Sequence, residues 1–196
     1  MKRRILFLIF SLSAFQLIGQ GFEGGLRFGL CGSQVDGDQL SGFNKVGILA
    51  GAYVSRKLSE AVSLQMEMVF IQKGSRKPID SNNSFYRLRV HYLEIPLLVK
   101  YKVTKKLSLT AGPSFGTLAF SAEDDEYGVY PNPIPFKKFE LAGNLGVVYA
   151  LSDQWSFDAR YSNSINTIRP FPGKYHPFFE KGQYNVLIEF SLLLRL

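Results

Sequence analysis

Apolar and polar side chains alternate along most of this chain. In the segment HYLEIPLLVKY, residues 91–101, the odd positions from Leu93 onward carry Leu, Ile, Leu, Val and Tyr, whereas Glu94 and Lys100 fall at even positions. Successive side chains of a β-strand point to opposite faces. The segment therefore predicts a strand with one apolar face and one face that accepts charge.

The same period of two recurs throughout the chain after residue 24, and no segment has a convincing helical period. The predicted strands are residues 25–33, 45–55, 61–73, 89–101, 107–120, 139–151, 155–165 and 183–196. Most are close to the 9–11 residues that a tilted transmembrane strand needs. Strands of ordinary globular domains are usually about 5–6 residues long, so the lengths favour strands that cross a membrane.

The connections between these strands alternate in length. Residues 56–60, 102–106 and 152–154 are short and polar, whereas residues 34–44, 74–88, 121–138 and 166–182 are long and hold most of the turn-forming residues. Outer-membrane barrels have short turns at one end and long loops at the other. The pattern predicts an all-β fold, an eight-stranded antiparallel up-and-down transmembrane barrel with both termini on the short-turn side.

Aromatic residues on the apolar parity lie next to the short connections. Aromatic rings with a polar edge favour the boundary between membrane and water. We predict an inner aromatic girdle of Tyr101, Tyr149 and Trp155, with Phe115, Phe120 and Tyr161 nearer the other end. The alternative is that these rings are core aromatics of a soluble barrel.

Charged residues occupy the opposite parity of several strands. They are Glu67, Glu94, Lys100, Asp158, Arg160 and Glu189. A basic residue facing lipid near the midplane costs about 2–4 kcal/mol, so these side chains should face the interior. Side chains just fill an eight-stranded barrel, so we expect the charges to pair in a structural cluster that plugs the lumen, without a catalytic role.

The N-terminus has the pattern of a secretory signal peptide. Three basic residues, Lys2, Arg3 and Arg4, precede an apolar run that ends at Gly19-Gln20, which predicts a signal peptide over 1–19 and a barrel domain over 20–196. A membrane-anchor helix is the alternative. Without those three residues, 23 − 3 = 20 basic residues face 16 acidic ones, an excess of +4, so nucleic acid is not an expected partner.

Several segments together resemble the PorT-like outer-membrane β-barrel family. They are GLRFGL, SLQMEMVFIQKG, YLEIPLLVKY, AGPSFG and FDARYS, and the resemblance extends over nearly the whole chain after residue 19. It implies an eight-stranded barrel in a Gram-negative outer membrane, in a family whose best-known member supports a protein secretion system. Two features depart from the usual pattern: the chain ends in Leu196 rather than an aromatic residue, and Pro96 should cause a bulge or a missing hydrogen bond.

Residues with catalytic or metal-binding chemistry are sparse. His91 and His176 lack metal-ligand spacing and Cys31 is the single cysteine, so we expect no metal, no cofactor and no internal disulfide. His91 has the parity of the apolar face, which argues against an enzyme at the barrel rim. The acidic run of residues 123–126 suits either a solvated loop or a hard cation.

The last long connection is unusually aromatic for an exposed loop. Its candidate partner-contact residues are Phe171, Tyr175, Phe178 and Phe179. Exposed aromatic side chains suit a partner surface, although packing over the barrel mouth would explain them equally well.

The function that these patterns favour is structural or accessory. We expect a monomeric barrel in outer-membrane lipid, neither an open porin nor an enzyme, whose partners are secretion or envelope proteins. A soluble periplasmic barrel that binds a small apolar ligand, as lipocalins do, is the alternative, and it would need the aliphatic face turned inward. An enzyme acting at the outer rim is the second alternative.

Overall fold

The computed structural model describes residues 21–38, 40–78, 84–129, 134–170 and 182–196. The strands are β1 (Phe22–Asp36), β2 (Lys45–Lys57), β3 (Val62–Lys77), β4 (Tyr86–Lys102), β5 (Leu107–Asp125), β6 (Gly128–Val129), β7 (Phe139–Ala150), β8 (Trp155–Ser164) and β9 (Tyr184–Arg195). The predicted signal peptide lies outside the described residues. None of the described residues forms a helix long and apolar enough to cross a membrane.

The eight long strands form a closed antiparallel barrel. Their order around it is β1-β2-β3-β4-β5-β7-β8-β9, and β9 pairs with β1 to complete the ring. The two-residue β6 pairs only with the outer end of β5. Closure leaves no long strand with an unpaired edge, the condition that lets a sheet cross a membrane. The predicted eight-stranded barrel is therefore confirmed.

The three short turns share one hydrogen-bonding pattern. A hydroxyl oxygen of Ser59, Thr104 or Ser152 accepts a hydrogen bond from the backbone N–H three residues later, at 3.0–3.1 Å. Such side-chain contacts to the nearby backbone stabilise tight turns. The barrel's first and last strands also begin and end on this side, which is the periplasmic side in outer-membrane barrels.

Strands β4 and β5 extend further outward than predicted. The structure starts β4 at Tyr86 and ends β5 at Asp125, whereas the predicted strands start at residue 89 and end at residue 120. The extra pairs include Arg87 opposite Asp124. Cross-strand charge pairing continues the ladder beyond the apolar alternation on which the prediction depended.

The aliphatic face of the barrel points outward. Leu93, Ile95, Leu97 and Val99 are 37–48% exposed, whereas Glu94 between them is 4% exposed. The soluble lipocalin-like alternative required the opposite arrangement, so that interpretation is wrong.

Pairing is interrupted at Pro96 without a change of register. On the β3 side the ladder resumes in the same register after a gap at Ile95 and Pro96, as expected for a residue without an N–H. The bulge lies elsewhere: the β4–β5 register shifts between His91 and Tyr92, where Ala119 is the extra residue of β5. The shift turns Glu123 inward and Asp124 outward.

The barrel interior contains an apolar layer that the sequence analysis did not predict. Its outer half holds a buried cluster that includes Val69, Ile71, Leu88 and Val90. These residues have the same parity as the buried charges. Parity therefore predicts correctly that they face inward, but it does not predict that the inward face is partly apolar. On β3 the apolar Val69 and Ile71 lie between the buried charges Glu67 and Lys73, so apolar and ionised side chains share the outer half of the interior.

Candidate functional site: ion networks inside the barrel

A buried network of five ionised side chains lies in the middle of the barrel. We call it the central network; its members are Arg27 on β1, Glu67 on β3, Asp158 and Arg160 on β8, and Glu189 on β9. Each is at most 3% exposed. On each strand these residues alternate with residues that face outward. Because successive side chains of a strand point to opposite faces, all five side chains point inward.

Arg27 joins three strands. Its Nη1 donates to Glu67 Oε2 at 2.7 Å, its Nη2 donates to Glu189 Oε2 at 2.8 Å, and its Nε donates to Ser191 Oγ at 3.0 Å. A planar guanidinium with five fixed N–H groups suits such divided contacts. Arg27 therefore links β1 to β3, the strand on the far side of β2, and to its neighbour β9.

Arg160 contacts the same carboxylate from the other side of the barrel. Its Nη1 and Nη2 donate to the two oxygens of Glu67 at 3.0 and 2.9 Å, and Nη2 also donates to Asp158 Oδ2 at 2.6 Å. Gln65 Nε2 adds a further hydrogen bond to Glu67 at 2.6 Å. Glu67 thus lies between two guanidinium groups, which offsets the large cost of burying its charge.

A second network, the Lys73 network, lies nearer the outer end. Lys73 Nζ donates to both oxygens of Glu140 at 3.1 Å and forms an ion pair with Glu94. Ser164 and Asn185 also donate to Glu140. One ammonium group therefore holds two carboxylates from β4 and β7 together, and all three charged side chains are at most 5% exposed.

Segments of two long loops fold over the outer end of the interior. We call this the outer cap; it consists of Phe136, Thr167, Ile168, Arg169 and Gln183, all buried. Arg169 stacks over the Phe136 ring at 4.4 Å and pairs with Glu123 at 2.8 Å. Backbone hydrogen bonds join Ile168 to Lys137 and to Gln183. The cap places polar and apolar side chains above the apolar layer.

The periplasmic end of the interior has a different character. A cavity of about 370 Å³ there is lined by Tyr53, Gln65, Lys100 and Arg195, among others. Lys100, predicted to belong to the charge cluster, lines this cavity, is half-buried and forms no ion pair within the described part of the chain. Gln65 connects this cavity to the central network, since it lines the cavity and donates a hydrogen bond to Glu67.

The structure places five of the six predicted cluster residues in buried ion networks, two networks rather than one, and Lys100 in the lining of the periplasmic cavity. Glu67, Asp158, Arg160 and Glu189 belong to the central network, and Glu94 belongs to the Lys73 network. The sequence analysis missed the partners that neutralise them: Arg27, Lys73 and Glu140. All three have the inward parity of their strands, and the alternation in GLRFGL and FELAG could have revealed Arg27 and Glu140.

The predicted aromatic girdle lies on the outer surface near the short turns. Tyr101 and Tyr149 are about half exposed, and Trp155 packs edge-on against Phe28 at 5.9 Å. The candidate partner-contact residues Phe171, Tyr175, Phe178 and Phe179 lie outside the described residues.

Other candidate chemistry does not converge. His91 faces outward between Phe70 and Phe120, with ring centroids 5.8 and 5.2 Å away. In the acidic run, Glu123 and Asp124 point to opposite faces of β5. In the described part of the chain, no three His, Cys, Asp or Glu side chains are grouped as a metal site.

The family model for the outer membrane protein β-barrel domain matches residues 14–169. This chain belongs to that family. Membership, together with the closed barrel and its aliphatic outer face, assigns this member to the outer membrane, where its lipid-facing strands lie in the bilayer. No curated protein matches the chain.

Solved outer-membrane barrels have the same fold as this family member. One is Ail, the attachment invasion locus protein of Yersinia pestis, solved in complex with the heparin analogue sucrose octasulfate. It is 11% identical to this chain, the TM-score is 0.52, and the match covers 90% of this chain and 99% of Ail. Neisserial surface protein A is 10% identical with a TM-score of 0.54, covering 88% of this chain and 97% of its own. At these identities the likeness shows the fold alone.

Removing Arg27 should strongly destabilise the barrel. In Arg27→Met, the carboxylates of Glu67 and Glu189 lose a buried cation that neutralises them. Breaking a buried ion pair in this way lowers the free energy of unfolding by about 3–5 kcal/mol. The measurement is urea unfolding of the protein folded into lipid vesicles. Arg56→Met is the matched control: Arg56 is exposed over the Phe22 ring and its loss should cost less than about 1 kcal/mol. Equal losses for the two variants would contradict a structural role for the network.

Proposed function

We propose that this protein is a monomeric outer-membrane barrel with a plugged lumen, acting as a structural or accessory component and not as an open porin. The observation that carries the proposal is the central network, in which Glu67 on β3 is bonded to Arg160 on the opposite side of the barrel. An eight-stranded barrel is only wide enough for its own side chains. Charges that bond across this width occupy the path that an ion would take.

The layers above the central network support the same proposal. The Lys73 network and the apolar layer lie beside each other beyond the central network, since Lys73 pairs with Val90 across the β3–β4 ladder, and the outer cap lies further out. Desolvated apolar side chains are a barrier to ions because an ion there loses its hydration without gaining a partner. The periplasmic cavity would then end at the central network, to which Gln65 connects it.

We also propose that the protein has no catalytic role. Nucleophilic catalysis needs a base within hydrogen-bond reach of a nucleophile, and His91, the histidine among the described residues, packs against two phenylalanine rings. The test is mass spectrometry of phospholipid and lipid A after incubation with the purified protein, and we expect both to be unchanged. A product made by the wild-type protein and lost in His91→Ala would contradict this.

The accessory role would be exercised with secretion or envelope proteins. The resemblance to PorT-like barrels motivates this part of the proposal, and the long outer connections supply the surface. A barrel without a conducting path or a catalytic group acts through what it binds.

Conductance in planar bilayers tests the plugged lumen. We expect the wild-type protein to give no stable current steps above the bilayer baseline. The double variant Arg27→Ser/Arg160→Ser removes both guanidinium groups of the central network and should also give no steps, because the Lys73 network, the apolar layer and the outer cap remain as barriers to ions. Lys105→Ser/Lys106→Ser, in a periplasmic turn, is the control and should stay silent. Stable steps from the folded wild-type protein would contradict the proposal.

Affinity capture tests the accessory role. The tagged protein is cross-linked in intact cells and recovered from detergent-solubilised membranes, with a tagged unrelated eight-stranded barrel at equal abundance as the control. We expect secretion or envelope proteins to be enriched over the control. Recovery of the same proteins with both barrels would contradict a specific accessory function.

A further inference from the structure

A basic recess lies on the outer surface of the barrel, at the outer ends of β3 and β4. It has a volume of about 390 Å³, and its lining includes Lys45, Gln72, Arg76, Arg87, Arg89 and His91. Arg76, Arg87 and Arg89 share the parity of the lipid-facing residues of their strands. The recess therefore faces the surroundings of the barrel and not its interior.

The height of this recess follows from the aromatic belts. On β4 the inner belt is marked by Tyr101 and the outer belt by His91, which packs between Phe70 and Phe120. Ten residues of a strand tilted by about 40° rise about 26 Å, close to the apolar band of outer-membrane barrels. Arg89 and Arg87 are two and four residues further outward. Their guanidinium groups thus lie at the level of the lipid headgroups.

The cations of the recess are crowded together. Arg76 and Arg87 are direct cross-strand partners on one face, an arrangement that destabilises a sheet when both side chains carry the same charge. Asp124 compensates in part, since it accepts from Arg87 at 2.7 Å and from Arg89 at 2.9 Å.

Positive charge remains after that compensation. Four basic side chains line the recess, the buried Lys45 and the outward-facing Arg76, Arg87 and Arg89, and the carboxylate of Asp124 pairs with two of them, Arg87 and Arg89. Within the described part of the chain no ion pair joins Lys45 or Arg76 to a carboxylate. An anion between β3 and β4 would relieve the repulsion between Arg76 and Arg87.

We infer that this recess binds the phosphate group of a phosphorylated glycolipid in the outer leaflet. Arginine guanidinium groups suit phosphate oxygens because they donate two parallel hydrogen bonds. The neighbouring Phe70 and Phe120 are more than one-third exposed and would contact the acyl chains of the same lipid. A headgroup above and an apolar surface below match the two ends of such a molecule.

The test measures binding of lipid A to the detergent-solubilised full-length protein by native mass spectrometry. We expect Arg76→Gln/Arg89→Gln to weaken binding by about tenfold or more, since each basic residue near a charged lipid surface contributes severalfold to affinity. Lys105→Gln/Lys106→Gln removes the same charge at the periplasmic end and should leave binding unchanged. The single variant Arg76→Gln changes an exposed side chain and should weaken binding severalfold if the double variant fails to fold.

Two further arms identify the chemistry of the ligand. Dephosphorylated lipid A should bind the wild-type protein about as weakly as intact lipid A binds the double variant. Inorganic phosphate at the same concentration should not displace lipid A, because it lacks the acyl chains. Equal binding of intact and dephosphorylated lipid A, an equal loss in the periplasmic control, or full displacement by inorganic phosphate would each overturn the inference.

Discussion

Charges that strand parity excludes from lipid must be neutralised by one another inside the barrel. Arg27 and Arg160 meet the carboxylates of Glu67, Asp158 and Glu189 within 3.4 Å. Removing these groups from water is expensive unless nearly every donor and acceptor finds a partner. The network consequently links β3 to β1 and to β8, neither of which is its neighbour in the sheet.

The two sides of this network differ in a way that bears on function. On the periplasmic side, a cavity is lined by polar and charged side chains, both basic and acidic. Toward the outside, the Lys73 network, the apolar layer and the outer cap fill the interior. The proposed accessory role would use this asymmetry, because a barrel with the proposed plugged lumen would present its loops and its outer rim to partners. The basic recess at the outer ends of β3 and β4 would anchor that rim to the surrounding lipid.

Most of the fold could be predicted from the sequence because a period of two fixes both the strands and their faces. Glu94 and Leu93 illustrate this, since adjacent residues differ in exposure by a factor of about ten. Pairing partners were harder to predict: Lys73 contacts Glu140, which is 67 residues away, and only the register of the closed barrel brings them together. The bulge at Ala119 and the inward fold of Phe136 and Ile168 likewise depend on tertiary packing, which leaves no periodic signal.

We infer that Arg27 and Glu67 stabilise the barrel through their direct contact in its interior. A double-mutant cycle with Arg27→Met and Glu67→Gln, measured by urea unfolding in lipid vesicles, tests it most directly. We expect the sum of the two single losses of unfolding free energy to exceed the loss in the double variant by a coupling of about 1–3 kcal/mol. Additive losses, with a coupling below about 0.3 kcal/mol, would contradict it.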